Sequence, residues 1–160
     1  MNLKTLLTAS IALLILVLGA CGNSPDPRFF LLGPEDLADR SLARERMTSA
    51  DLGESGVSAE AVLAAQDYKI YHSVVLLLDQ AQAQKMMADL LSNPESLGTP
   101  IGEPLTLGQE TLGIYQDRSA DNRSFVIFRE GNTLVRVTLE GQSSSQDLAT
   151  IAQRAWEKLQ

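Results

Sequence analysis

The sequence predicts an α+β domain, an antiparallel sheet of about four strands with helices packed on one face, behind an apolar leader and a short polar spacer. Three observations lead there. Ser124–Arg129 and Leu134–Leu139 are strand-like runs separated by Glu130-Gly131-Asn132-Thr133, a hairpin signal with Gly and Asn where positive φ is expected. Tyr68–Leu78 is rich in β-branched and aromatic residues and leads into a helix. The chain closes on Leu148, Ile151, Ala152, Ala155 and Leu159, recurring at helical spacing.

In chain order, Phe29-Phe30-Leu31-Leu32 begins ordered structure, because four adjacent apolar residues are a liability when exposed. Pro34–Arg46 reads as a helix with Pro34 at its first position. Thr48–Val57, with Gly53 and Gly56 among serines and acids, reads as a loop. Ser58–Gln66 looks like a short helix carrying Ala59, Val62, Leu63 and Ala65. After the strand at 68–78, Asp79 and Gln82 form a capping-box signature, and Ala83, Met86, Met87, Leu90 and Leu91 make one apolar stripe. Asn93-Pro94 ends that helix, and Gly98 and Gly102 flank Pro100 at a bend. Leu112–Gln116 is a further strand, closed by the polar turn Asp117–Asn122. Ser143 with Gln146 predicts the cap of the last helix, and Trp156 beside its stripe anchors it to the sheet.

The N-terminus carries the strongest signal about location. Lys4 precedes an uncharged run, Leu6–Leu18, and the whole apolar stretch to Ala20 is short for a membrane span, which needs about 20 residues. Leu18-Gly19-Ala20-Cys21 resembles the lipobox of bacterial lipoproteins. The resemblance implies cleavage after Ala20 and acylation (palmitate among the chains) of Cys21. It divides the chain into a signal peptide (1–20), a lipidated cysteine and tether (21–33) and one domain (34–160). Each buried methylene contributes about 0.8 kcal/mol, so two or three acyl chains hold a protein firmly at a membrane. In Gram-negative enteric bacteria Asp after the cysteine is the usual inner-membrane retention residue. Gly22 therefore favours the outer membrane if the host is Gram-negative; otherwise the outer face of the cell membrane is expected.

Composition narrows the chemistry. Cys21 is the only cysteine and His72 the only histidine, which leaves no disulfide, no cysteine-based zinc site and no multi-histidine metal site. Removal of residues 1–20 takes away one lysine and no acid, leaving 12 basic and 20 acidic side chains. That excess argues against nucleic acid and against a polybasic grip on anionic lipid. His72 alternates with Tyr68, Ile70 and Val74 and reads as a structural histidine. Ser143-Ser144-Ser145 reads as helix capping, with no G-x-S-x-G present. Asp117 and Asp121, beside Arg118 and Arg123, fail the EF-hand spacing and read as a solvated turn. Met86-Met87 with Leu90-Leu91 are core residues before they are pocket residues. No catalytic residue, metal or cofactor is assigned.

Gly108-Gln109-Glu110, Phe128-Arg129-Glu130-Gly131-Asn132 and the closing helix together resemble extracytoplasmic lipoprotein domains with G-D-E and F-R-x-G-N motifs, and more distantly the extracellular sensor domains of some bacterial kinases. The resemblance covers about residues 65–160, with Pro34-Glu35-Asp36-Leu37 a possible upstream part. Gln109 departs from the motif, and the disulfides of the kinase sensors are absent. It implies a fold and a location, not a reaction. The expectation is a non-catalytic interaction, sensory or scaffold module, membrane-bound through Cys21 and meeting an envelope protein partner. The alternative is a lipoprotein that binds a small or lipidic molecule, with an enzyme third. An open, uncharged sheet edge favours the first, and an enclosed apolar cavity well above ~300 Å³ the second.

Overall fold

The computed structural model describes residues 25–141 and 144–160. Seven strands form one antiparallel sheet: β1 (Ala43–Asp51), β2 (Gly56–Ala64), β3 (Tyr68–Leu77), β4 (Gly98–Pro100), β5 (Glu110–Asp117), β6 (Arg123–Glu130) and β7 (Thr133–Gly141). Their spatial order is β1-β2-β3-β7-β6-β5-β4. Helix α1 (Gln80–Ser92) follows β3, and α2 (Ser145–Glu157) follows β7. The α+β class and the four expected strands, β3, β5, β6 and β7, are present. Three more were not anticipated.

Each addition has a physical reason. Residues 58–64 are strand, not helix, because Ala59, Ala61 and Leu63 alternate into the core while Glu60 points the other way. The alanine-rich composition favours a helix locally, and tertiary pairing overrides it. The small side chains also make room for the N-terminal segment, whose Leu31 and Leu32 are buried in the same cluster as Ala59 and Ala61. The packed domain therefore takes in residues that the sequence reading placed in the tether. Of the expected helix over 34–46 only a 3₁₀ turn, Pro34–Asp36, forms. Asp39 then accepts from Ser41 N (2.8 Å) and Ser41 Oγ (2.7 Å), turning the chain into β1. Thr48–Asp51 belongs to β1, which leaves only the tight connection to Gly56 as loop. Gly98–Pro100 is a short strand against Tyr115–Asp117.

The helices lie on opposite faces of the sheet, which corrects the expectation of one face. Alternate residues of β6 and β7 separate the two cores. Val126, Phe128, Val135, Val137 and Leu139 pack with Leu148, Ile151, Ala152 and Ala155 of α2. Phe125, Ile127 and Leu134 pack with Ala83 and Met87 of α1. The α1 stripe is narrower than its sequence suggests, since Met86 and Leu91 are exposed. Asp79 caps α1 by accepting from Gln82 N at 2.8 Å. The cap of α2 is Ser144 with Asp147, one residue on from the expected Ser143–Gln146 box, which lies partly outside the described residues.

The two motifs of the lipoprotein resemblance are halves of one interlock. Arg129 is buried and pairs with Glu110 across the β5–β6 ladder, while its Nη1 donates to the Gly131 carbonyl at 2.7 Å. Gly108 (φ +61°) passes so close that an added Cβ would lie 2.4 Å from the Arg129 carbonyl oxygen. In the β6–β7 turn Gly131 alone has positive φ (+57°), the pattern of a type II′ turn rather than one with both central residues left-handed. Asn132 instead donates its side-chain amide to the Leu77 carbonyl at 2.6 Å, tying the turn to the end of β3.

Trp156 packs against the α2-side core with its Nε1 buried and unpaired among the described residues. Trp156→Ala is expected to cost about 3 kcal/mol in chemical denaturation. A loss below about 0.5 kcal/mol would place Trp156 outside the core.

Candidate functional site

The one histidine is a core residue. His72 has no exposed surface, and its Nδ1 accepts from Leu32 N at 2.9 Å, so the N-terminal segment is pinned to β3. An Nδ1 acceptor requires the neutral tautomer with the proton on Nε2, and that nitrogen is buried with no partner among the described residues. Burial, reinforced by the Lys158 cation and opposed by Asp36, pushes the His72 pKa down to about 3. A group in this state neither exchanges protons near neutrality nor reaches a ligand. Lys158 and Asp36 form an ion pair that ties the end of the chain to the same segment.

The Asp117–Asn122 turn is held by its own side chains. Asp117 Oδ1 accepts from Ser119 N (2.8 Å) and Ser119 Oγ (2.6 Å). Gln116 Nε2 donates to the carbonyls of Asp121 (2.7 Å) and Arg123 (2.9 Å). Among the described residues no group of three or more His, Cys, Asp or Glu side chains is placed to hold a metal ion. Ser144 and Ser145 are taken up by the α2 N-terminus.

Two surface features bear on the partner-binding and apolar-ligand expectations. The first is β1, an edge strand exposed over all nine residues, with one outward side unpaired. Its first half carries Arg44, Glu45 and Arg46, and a register shift at Arg44/Arg46 distorts the ladder there. Met47-Thr48-Ser49-Ala50 is uncharged and regularly paired to β2. Charges and bulges discourage strand addition, so the second half is the receptive part. This edge is not legible in the sequence, where 43–46 falls in an expected helix and 48–51 in an expected loop. The alternation signal is absent when neither face of a strand is buried.

The second feature is an open cleft of about 250 Å³ between α2 and the start of β3, walled by Leu37, Leu42, Ile70, Leu139 and Ile151. The Tyr68 hydroxyl donates to Asp39 Oδ2 at its rim (2.5 Å), and burial together with that bond raises the tyrosine pKa. Cys21 and Ala20 lie outside the described residues. Among the described residues no helix is long and apolar enough to cross a membrane.

His72 has a measurable signature. Its folded pKa lies below its unfolded value, so the unfolded chain binds the extra proton. Stability is then full above about pH 6.5 and falls as pH drops toward 3. Carboxylates titrate mainly below pH 5, so between pH 6.5 and 5 the slope of the urea midpoint belongs to His72. His72→Gln is expected to flatten that slope. An unchanged slope in the variant would show His72 to be protonatable in place.

No family model matches this chain, and no curated protein matches it in sequence. Its fold is similar to a solved structure, the extracellular domain of PknH from Mycobacterium tuberculosis, with a TM-score of 0.63 and 10% identity, covering 86% of this chain and 98% of that one. At that identity the likeness is one of fold.

Proposed function

We propose that this chain is a lipid-anchored, extracytoplasmic, non-catalytic module of the bacterial cell envelope that recruits a protein partner through the open edge of its sheet. The observation that carries the reading is β1, fully exposed and uncharged over Met47–Ala50. An extended segment can add there as an eighth strand, with main-chain hydrogen bonds supplying affinity. The fold it shares with an extracellular domain supports the location. The Leu18–Cys21 segment supports an acyl anchor on Cys21, and Gly22 favours the outer membrane where the host has one. The acidic balance keeps such a module off nucleic acid and off anionic headgroups. A non-catalytic role fits a histidine locked in the core and serines engaged in capping. The alternative, a lipoprotein that captures an apolar small molecule, rests on the cleft beside Leu37. That cleft is open and smaller than the ~300 Å³ usual for ligand pockets.

Native mass spectrometry on protein extracted gently from host membranes separates these readings. The expected result is a co-purifying protein at fixed stoichiometry, lost in Met47→Lys/Ser49→Lys, whose charges blunt the edge. A stoichiometric small-molecule adduct on a chain free of protein would favour the cleft instead. A complex indifferent to the edge variant would remove β1 from the account. Cys21→Ser is expected to leave an uncleaved or unanchored form. Gel mobility and membrane partitioning identical to the wild type would contradict the lipid anchor.

A further inference from the structure

Helix α1 covers only part of its face of the sheet. Over β2, β3 and the middle of β7 no described helix covers that face, and the ladder registers place Glu60, Ser73 and Arg136 in one row across it, with Val62, Tyr71 and Thr138 in the next. Five of these strand positions, Glu60, Tyr71, Ser73, Arg136 and Thr138, together with Arg123 of β6, line a half-open cavity of about 190 Å³. It sits on the central strand of the seven, where a charge has to be accounted for.

Most charges around the cavity are already neutralised. Arg123 donates Nε (3.1 Å) and Nη2 (2.5 Å) to Glu140 Oε2 and lies over the Tyr71 ring at 5.6 Å. Glu60 accepts from Arg46 (2.6 Å) and from the Ser73 hydroxyl (3.2 Å). Arg136 is different. It is the one exposed residue between Thr133 and Leu139, and every other residue in that stretch is buried. Its guanidinium is held over the Phe125 ring at 4.4 Å, and its Nε donates to Thr138 Oγ1 at 3.1 Å. Its Nη2 forms a salt bridge with Asp117 Oδ2 at 3.7 Å, too long for a hydrogen bond, so that pairing leaves the guanidinium N–H groups unused. Among the described residues its remaining N–H groups have no acceptor. Thr138 is 5% exposed and, having accepted from Arg136, has no acceptor for its own hydroxyl proton there.

From this geometry we infer that the cavity is a binding site for a compact oxyanion, a carboxylate or phosphate group carried by a small molecule, with the Arg136 guanidinium as its cation and the Thr138 hydroxyl as a second donor. A guanidinium fixed by a ring below and a threonine behind presents its outer edge in one orientation, the arrangement that recognises planar or tetrahedral oxyanions. Partial burial of the guanidinium stem and the neighbouring Arg123 cation pull the Arg136 pKa down, while the Asp117 and Glu60 carboxylates oppose them. The volume is below that of drug-sized pockets and suits a compact group. The site lies on the opposite face from the apolar cleft, and it does not depend on partner binding at β1.

The test is a titration of the ¹⁵N-labelled full-length chain in detergent micelles with sodium phosphate and, separately, sodium acetate, against sodium chloride at matched ionic strength. Saturable shifts are expected at Ser73, Arg136 and Thr138, with half-saturation on the order of 1 mM. Arg136→Gln is expected to weaken binding about tenfold or more, and Thr138→Val about threefold, with the rest of the spectrum unchanged. Saturation with phosphate alone would assign a phosphate-bearing ligand, with acetate alone a carboxylate-bearing one, and with both a general oxyanion site. Shifts that grow linearly, that chloride reproduces, or that persist in both variants would overturn the proposal.

Discussion

Five consecutive residues of β6, Phe125 to Arg129, are buried, and a strand can bury consecutive residues only if both faces of its sheet are covered. That constraint organises the molecule. The even-numbered β6 positions Val126 and Phe128 belong to the core under α2, and the odd-numbered Phe125 and Ile127 to the core under α1. Each fully buried Phe, Val or Ile contributes roughly 1.5–3 kcal/mol, so the sheet centre holds both helices in place from its two sides. The covering elements are finite, and what they leave bare, the β1 edge and the helix-free face over β2 and β3, is where binding chemistry can sit.

Two polar contacts fix the geometry that burial alone leaves loose. Arg129 would be a stranded charge in the core without Glu110 and the Gly131 carbonyl, and removing one partner of a buried pair costs more than the pair contributes. The pairing therefore sets the register of β5 against β6 and places the II′ turn. His72 does the same on the other face, where its Nδ1 seats Leu32 and closes the sheet under the N-terminal segment. The motif residues and the lone histidine thus build the fold. The surface features with binding potential, Met47–Ala50 and Arg136, belong to neither motif.

Elements whose side chains alternate or recur against a core were legible in the sequence: β3, β5, β6, β7 and both helices. Two of those that failed did so for different reasons. Val57–Ala64 is built of small residues whose helix preference is overruled by pairing partners far along the chain, and Ala43–Asp51 buries nothing and so carries no pattern. The face assignment failed because consecutive apolar residues in β6 show that both sides are covered but not by which helix. The capping serine was missed by one position, since three adjacent serines offer the same chemistry. The Arg136 pocket was invisible for a different reason. It is formed by β2, β3, β6 and β7 side by side, and no local spacing encodes that.

The sheet's centre is sealed from both sides and its β1 edge is open. Native-state hydrogen exchange on the isolated full-length chain tests that most directly, because protection reports local opening strand by strand. Amides of β3, β6 and β7 should exchange only through global unfolding. Along residues 43–51 slow and fast amides should alternate, the fast ones being those that point away from β2. Uniform protection along 43–51, equal to that of β7, would mean the edge is already covered and would contradict the claim that it is free to take a partner strand.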